Sequence, residues 1–267
     1  MIIIGELING TRKKPKEAIA QKDADYIADL ARRQAEAGAD YIDVNPGTTG
    51  EAEVEDMKWL VEVAQSTTDK PLCFDSPNPA AIRAAFEVYQ GSATPIINSI
   101  TAEQERLETL LPLVLETGAN VIALAMGDEG MPSAAGDREA TARRLIDALR
   151  EAGVAPERIF VDPVITPLGT GHENGQLILQ AIRDVREYCP ECHITGGLSN
   201  ISYGLPNRRL INRVFLVLAM AAGMDSAVMD PLDEKIMAEL LAAEALLGKD
   251  EWCMNYIQAE RAGKLGV

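Results

Sequence analysis

Histidine is almost missing from this chain, with two copies in 267 residues, and aromatic side chains make up only 4% of it. Two histidines are few for a hydrolase that holds its metal through imidazoles. Lysine is absent where the apolar runs end, which speaks against a Schiff-base aldolase. There is no serine-centred nucleophile elbow and no glycine-rich phosphate loop. No apolar run approaches the roughly 18 residues that a membrane span needs. Met1-Ile2-Ile3-Ile4-Gly5-Glu6 is too short and lacks the basic flank of a signal peptide, so a cytoplasmic location is expected. Positive charge is also scarce. With 25 Lys and Arg against 41 Asp and Glu the formal charge is −16, which disfavours nucleic acid and anionic membranes as partners.

What the chain does have is aliphatic: it is 47% hydrophobic, mostly Ala, Leu, Ile and Val. That suits helices stacked around a parallel sheet. A helix end marked by glycine and followed by a strand recurs at Gly38, Gly118, Gly153 and Gly223, as in Ala37-Gly38-Ala39-Asp40-Tyr41-Ile42. Glycine is favoured there because it takes the left-handed conformation cheaply. Strands are predicted to begin near residues 2, 40, 71, 94, 120, 158, 193 and 226. Amphipathic helical patterns separate them, such as Leu177, Ile178, Ala181, Ile182 and Val185 on one face. Thr101-Ala102-Glu103-Gln104 reads as a capping box. Eight strands alternating with helices predict an α/β fold, a single (β/α)8 barrel over residues 1–267, with an extra helix near 250–264 covering the barrel or joining a dimer contact. An open doubly wound sheet is the alternative, since periodicity does not show closure. The rim loops are expected at 7–22, 46–50, 126–136, 163–175 and 200–207, where Gly, Pro, Ser and Thr gather.

Five apolar runs deliver an acid or an amide where the hydrophobicity stops: Tyr41-Ile42-Asp43, Leu72-Cys73-Phe74-Asp75, Ile96-Ile97-Asn98, Ile159-Phe160-Val161-Asp162 and Gly197-Leu198-Ser199-Asn200. In a parallel barrel these groups meet at the carboxyl-terminal rim, where such barrels do their chemistry. Taken alone, Asp75 reads equally well as a solvated helix cap. Two acids and two amides on four strands make a polar cup suited to a flat, amide-like ligand. An all-carboxylate magnesium site on Asp43, Asp75 and Asp162 is a second option. Cys189-Pro190-Glu191-Cys192-His193 has a CxxC spacing, but it falls at the opposite, amino-terminal face, and a reducing compartment leaves these cysteines as ordinary thiols.

The motifs Ile4-Gly5-Glu6-Leu7-Ile8-Asn9-Gly10, Asp43-Val44-Asn45-Pro46-Gly47, Leu72-Cys73-Phe74-Asp75-Ser76, Ile97-Asn98-Ser99, Asp162-Pro163, Gly197-Leu198-Ser199-Asn200-Ile201-Ser202 and Asn207-Arg208-Arg209-Leu210-Ile211-Asn212-Arg213 stand in unbroken order. Together they resemble the pterin-binding methyltransferases, in particular the family that moves a methyl group between methyltetrahydrofolate and a corrinoid protein. The resemblance implies a pterin-binding (β/α)8 barrel in which Asp75, Asn98 and Asp162 hold the pterin ring, carboxylates accepting its paired N–H donors. It further implies that Asn200 acts near the methyl-bearing N5, with Asp75 and Asp162 sharing the catalytic work. Asp43, Gly197, Ser199, Arg208 and Glu6 line or support the site. Cobalt of a corrinoid (cobalamin) carried by a partner protein is the implied nucleophile. That partner docks over the rim near Asn9 and Tyr203, no metal is bound by the chain itself, and a homodimer is expected.

After Ser202 the chain reads Tyr203-Gly204-Leu205-Pro206, where the acetogenic enzymes of that family have polar residues. This also fits a different branch, in anaerobic O-demethylating, methylamine and betaine systems, in which the net flow would run from methyl-corrinoid to tetrahydrofolate. Dihydropteroate synthase shares the implied pocket, but it needs a lysine near the seventh strand, where this chain has Gly196-Gly197-Leu198-Ser199-Asn200. A carboxylate-metal lyase on a generic barrel is the reading from another class.

Overall fold

A computed structural model describes residues 1–128, 130–132 and 136–266. The expected loop 126–136 therefore falls partly outside the described residues, at 129 and 133–135. Among the described residues eight parallel strands run in the order β7-β6-β5-β4-β3-β2-β1-β8. They are β1 (Ile2–Asn9), β2 (Tyr41–Asn45), β3 (Leu72–Asp75), β4 (Ile96–Thr101), β5 (Asn120–Leu124), β6 (Ile159–Asp162), β7 (His193–Ile194) and β8 (Ser226–Met229). The ring closes between β7 and β8 through the Val228 N–H on the Gly196 carbonyl at 3.0 Å and a parallel bridge from Gly197 to Val228. The sheet is thus a closed barrel and not an open doubly wound sheet.

The helices follow from the glycine joints. Gly38, Gly118, Gly153 and Gly223 all have positive φ, and they follow α2 (Ala24–Glu36), α5 (Gln104–Thr117), α6 (Asp137–Glu151) and α8 (Arg208–Ala222). Between or after these lie α1 (Lys13–Gln21), α3 (Glu51–Gln65), α4 (Pro79–Val88), α7 (Asn174–Tyr188), α9 (Glu234–Leu246) and α10 (Met254–Arg261). Strand and helix faces meet in one interlayer core in which Ile42, Phe74, Ile97, Val121 and Val161 pack on helix residues such as Leu60, Ile82 and Ile182.

Three expectations change. Most of 7–22 is not loop: β1 continues to Asn9, and α1 forms because Pro15, Ala18 and Ile19 bury one face at helical spacing despite the lysines between them. The capping box does not form. Thr101 is the last residue of β4, its hydroxyl pairs with Glu103, and the Gln104 amide reaches forward to Glu108. Cys189 and Cys192 are not free thiols but a disulfide. Cys189 caps α7, and a turn in which the Cys192 N–H bonds the Cys189 carbonyl brings their Cα atoms to 5.4 Å.

Candidate functional site

The barrel interior is built in layers. Ile4, Cys73, Ile96, Ile122 and Phe160 form an apolar floor, with Tyr41 and Val228 packed against it. Side chains alternate along a strand, so the residue two places further on faces the same way. Two places on from these seven stand Glu6, Asp75, Asn98, Leu124, Asp162, Asp43 and Asp230. Six of those seven are polar, and the change from floor to polar layer takes one dipeptide, about 7 Å of strand. Asp75 and Asn98 are register partners on β3 and β4.

Burial dominates the electrostatics of this layer. It pushes the Asp75 carboxyl up to about 6, against the pull of the Asn45 side-chain N–H at 2.7 Å and the nearby Arg106 cation. Asp162 is likewise pushed up to about 6 by burial, opposed by the backbone N–H groups of Val164 (2.8 Å) and Gly197. Asp43, only 1% exposed, is raised well above the usual carboxylate range by burial and then by the Asp75 charge. Two carboxyls so close do not ionise together easily, and the more buried one keeps the proton. Asn98 turns its side-chain N–H toward Asp43 at 3.4 Å. Burial also raises Glu6, although it is ion-paired with Arg12.

The expected cup divides in two. Asp75 and Asn98 line a cavity of about 310 Å³ with Ser76, Ser99, Arg106 and Met126. Ser199, Asn200, Tyr203, Arg208 and Glu6 line a larger one of about 660 Å³ with Arg12, Asn212 and Asp230. Asn200 does not end a strand: β7 stops at Ile194, and Asn200 rides on a 3-10 turn, Leu198–Ser202, that carries it out to an exposed position on the rim. Nor does Asn98 end β4, which runs on to Thr101. Asp162 accepts the Gly197 N–H and lines neither cavity. Arg208 bonds the Ser199 carbonyl at 2.7 Å and the Ser202 hydroxyl at 3.1 Å, and its guanidinium stands 5.8 Å from the Tyr203 ring centre. Tyr203 itself is 68% exposed.

Asn9 lies beside the 46–50 loop. It is the register partner of Asn45, and Gly10 abuts Pro46 so closely that a Cβ there would meet the Pro46 carbonyl oxygen at 1.9 Å. The Asn9 side chain accepts the Thr11 N–H at 2.9 Å, and Thr11 and Tyr203 line the same cavity. Among the described residues no three His, Cys, Asp or Glu side chains gather as a metal site, so Asp43, Asp75 and Asp162 do not assemble the magnesium alternative. Sequence reasoning missed Asn45, Arg12, Asp230 and Arg106. Asn45 stood inside a quoted motif; Asp230 could have been found from its apolar run, Ser226–Met229, which also ends in an acid.

The family model for pterin binding enzymes matches residues 5–230. The methylcorrinoid:tetrahydrofolate methyltransferase of Eubacterium limosum is 39% identical over 268 aligned residues, covering 100% of this chain and 98% of that one. Methionine synthase of Mycobacterium tuberculosis is 33% identical over 85% of this chain but only 20% of its own length. Among solved structures, dihydropteroate synthase from Xanthomonas albilineans superposes with a TM-score of 0.70 at 21% identity, over 94% of this chain and 92% of that one, a likeness of fold. With the family model spanning all eight barrel strands at least in part, the chain belongs to the pterin binding enzymes.

Proposed function

We propose that the protein is a methyltransferase that moves the N5-methyl group between methyltetrahydrofolate and the cobalt of a corrinoid carried on a partner protein. The observation that carries this is the end-to-end likeness to the methylcorrinoid:tetrahydrofolate methyltransferase. The physiological direction in this reading is toward methyltetrahydrofolate, in an anaerobic O-demethylating system. The corrinoid supplies the metal centre that gives up or accepts the methyl group. This chain's residues bind and orient the folate. Asp75 and Asp162 accept N–H groups of the pterin edge, Asn98 matches an adjacent donor and acceptor, and Asp43 backs Asn98 from below. Asn200 places its side-chain amide, which can donate or accept, against N5 and stabilises the charge that develops there. Glu6, Ser199 and Arg208 shape the larger cavity, Gly197 supports the site by donating its N–H to Asp162, and Asn9 and Tyr203 face the partner.

The chain works in the cytoplasm as one domain and as a homodimer. Exposed Leu210, Val214 and Leu218 on α8 support the dimer, as do Trp252 and Met254 at the start of the extra helix. Sedimentation equilibrium at twice the monomer mass checks it. The activity is tested by incubating the protein with methyltetrahydrofolate and reduced cobalamin and following methylcobalamin by its absorbance. A tightly bound folate with no methylcobalamin formed would leave a binding barrel only.

Binding and stability should respond to pH in opposite directions. Carboxylates must be ionised to accept from the pterin, so folate affinity falls as pH drops through about 6, where Asp75 and Asp162 titrate. Their folded-state values are raised, so the native protein holds more protons than the unfolded chain between about pH 4 and 6. Their contribution to stability is therefore complete below about 4 and is lost as pH rises through 6. Asp162→Asn is expected to stabilise the ligand-free protein at pH 8 by about 1–2 kcal/mol, less than the full linkage value because the barrel mouth is partly wet, while leaving only the Asp75 share of the pH step in folate affinity. Urea unfolding at pH 4 and pH 8 checks the first, and calorimetric titration checks the second.

A further inference from the structure

One cation spans the two strands that carry the smaller cavity. Arg106, in the first turn of α5, points its half-buried guanidinium back at the rim. Nη2 bonds the carbonyls of Ser76 at 2.9 Å and Ser99 at 2.8 Å, Nε bonds Ser99 again at 3.0 Å, and Nη1 bonds the Pro77 carbonyl. Ser76 directly follows Asp75, and Ser99 directly follows Asn98. The far side of this clamp is also fixed: the buried Glu53 accepts the Ser76 hydroxyl at 2.6 Å, and that hydroxyl oxygen takes the Asn78 N–H at 2.9 Å. Backbone N–H groups pair across β3 and β4 as far as the Ser76 N–H on the Asn98 carbonyl at 3.1 Å, and the next carbonyls, those of Ser76 and Ser99, both go to Arg106.

We propose that Arg106 is a positioning residue for the folate site, setting the separation and aim of Asp75 and Asn98 by holding the carbonyls that follow each of them. The inference rests on the reading of those two side chains as the pterin edge contacts. A planar fork with five donors can bridge three carbonyls, two after β3 and one within β4, and an ammonium cannot. The same guanidinium is the cation that faces Asp75. The other ionisable groups around that carboxyl are Asp43 on β2, Glu53 on α3 and Cys73 on its own strand, all acidic, with the neutral Asn45 amide beside them. Arg106 thus acts through geometry and through charge, and the two can be separated.

The test uses Arg106→Met and Arg106→Lys, with near-ultraviolet circular dichroism to confirm folding. Two quantities are read: the KM and kcat for methyltetrahydrofolate, and the midpoint of the Asp75 carboxyl titration followed by carbon-13 NMR in the ligand-free protein. Arg106→Met is expected to raise the KM by roughly tenfold to a hundredfold with a much smaller change in kcat, and to move the Asp75 midpoint up by about one pH unit. Arg106→Lys should restore the midpoint but not the KM. Full rescue of the KM by lysine would overturn the clamp, since charge alone would then suffice. A folded Arg106→Met variant with unchanged KM and midpoint would overturn it as well. Should the wild-type protein show no methyl transfer or folate binding, the functional reading fails; the NMR midpoints of the three ligand-free proteins would still decide whether Arg106 governs Asp75.

Discussion

Replacing Asn200 by alanine is expected to lower methyl transfer at saturating folate by about 10²–10³-fold, or about 2.7–4 kcal/mol, the size seen when one preorganised donor is lost from developing charge. Folate affinity should change by no more than about threefold. The asymmetry follows from where the residue sits. Asn200 is exposed on a 3-10 turn and lines the larger cavity, whereas Asp75 and Asn98 face the smaller one. Its amide is too weak an acid to protonate an amine, so its contribution is confined to the step in which N5 gains or loses charge. Single-turnover rates with reduced cobalamin, set beside calorimetric affinities for tetrahydrofolate, separate the two effects. Equal losses in rate and affinity would place Asn200 among the groups that merely bind.

Phe74→Ala tests the layered construction from the other side of the sheet, with an expected cost of about 3–5 kcal/mol in stability. Phe74 is fully buried between β3 and the helices, edge-on to Phe86 at 5.1 Å and to Tyr89 at 5.6 Å between ring centres. Its neighbours Cys73 and Asp75 point the opposite way, into the barrel. The urea midpoint should fall steeply, while the KM for methyltetrahydrofolate, measured where the variant is still folded, stays near the wild-type value. A variant of unchanged stability that no longer binds folate would contradict the alternation of faces on β3.

Much of this was readable in advance because it depends on local rules. Each strand start falls within two residues of its predicted place, since glycine with positive φ marks the joint and β-branched runs mark the strand. The inward direction of Asp43, Asp75 and Asp162 follows from a period of two. What escaped depends on contacts between distant segments. Arg106 looks like one more solvated charge on an acidic helix, and only the fold brings it to the carbonyls of Ser76 and Ser99. The capping box failed because β4 runs through Thr101, so tertiary pairing overrode a local signal. Gly197-Leu198-Ser199-Asn200 reads as a strand end in the sequence, but β7 is two residues long and the chain turns before Asn200.

That brevity gives the barrel a seam. β4 and β5 are held at five register positions; β7 meets β6 at only two, and it meets β8 through a few backbone bonds and the Gly197–Val228 bridge. At the amino-terminal end the seam is stapled, because Asp225 takes the Ile194 N–H at 2.7 Å and pairs with both His193 and Arg186. Above that staple β7 is only two residues long, the shortest strand of the eight. Amide exchange is therefore expected to be fastest across the β7–β8 seam, away from the strands that carry Asp75 and Asn98, and hydrogen-exchange rates along the eight strands check it.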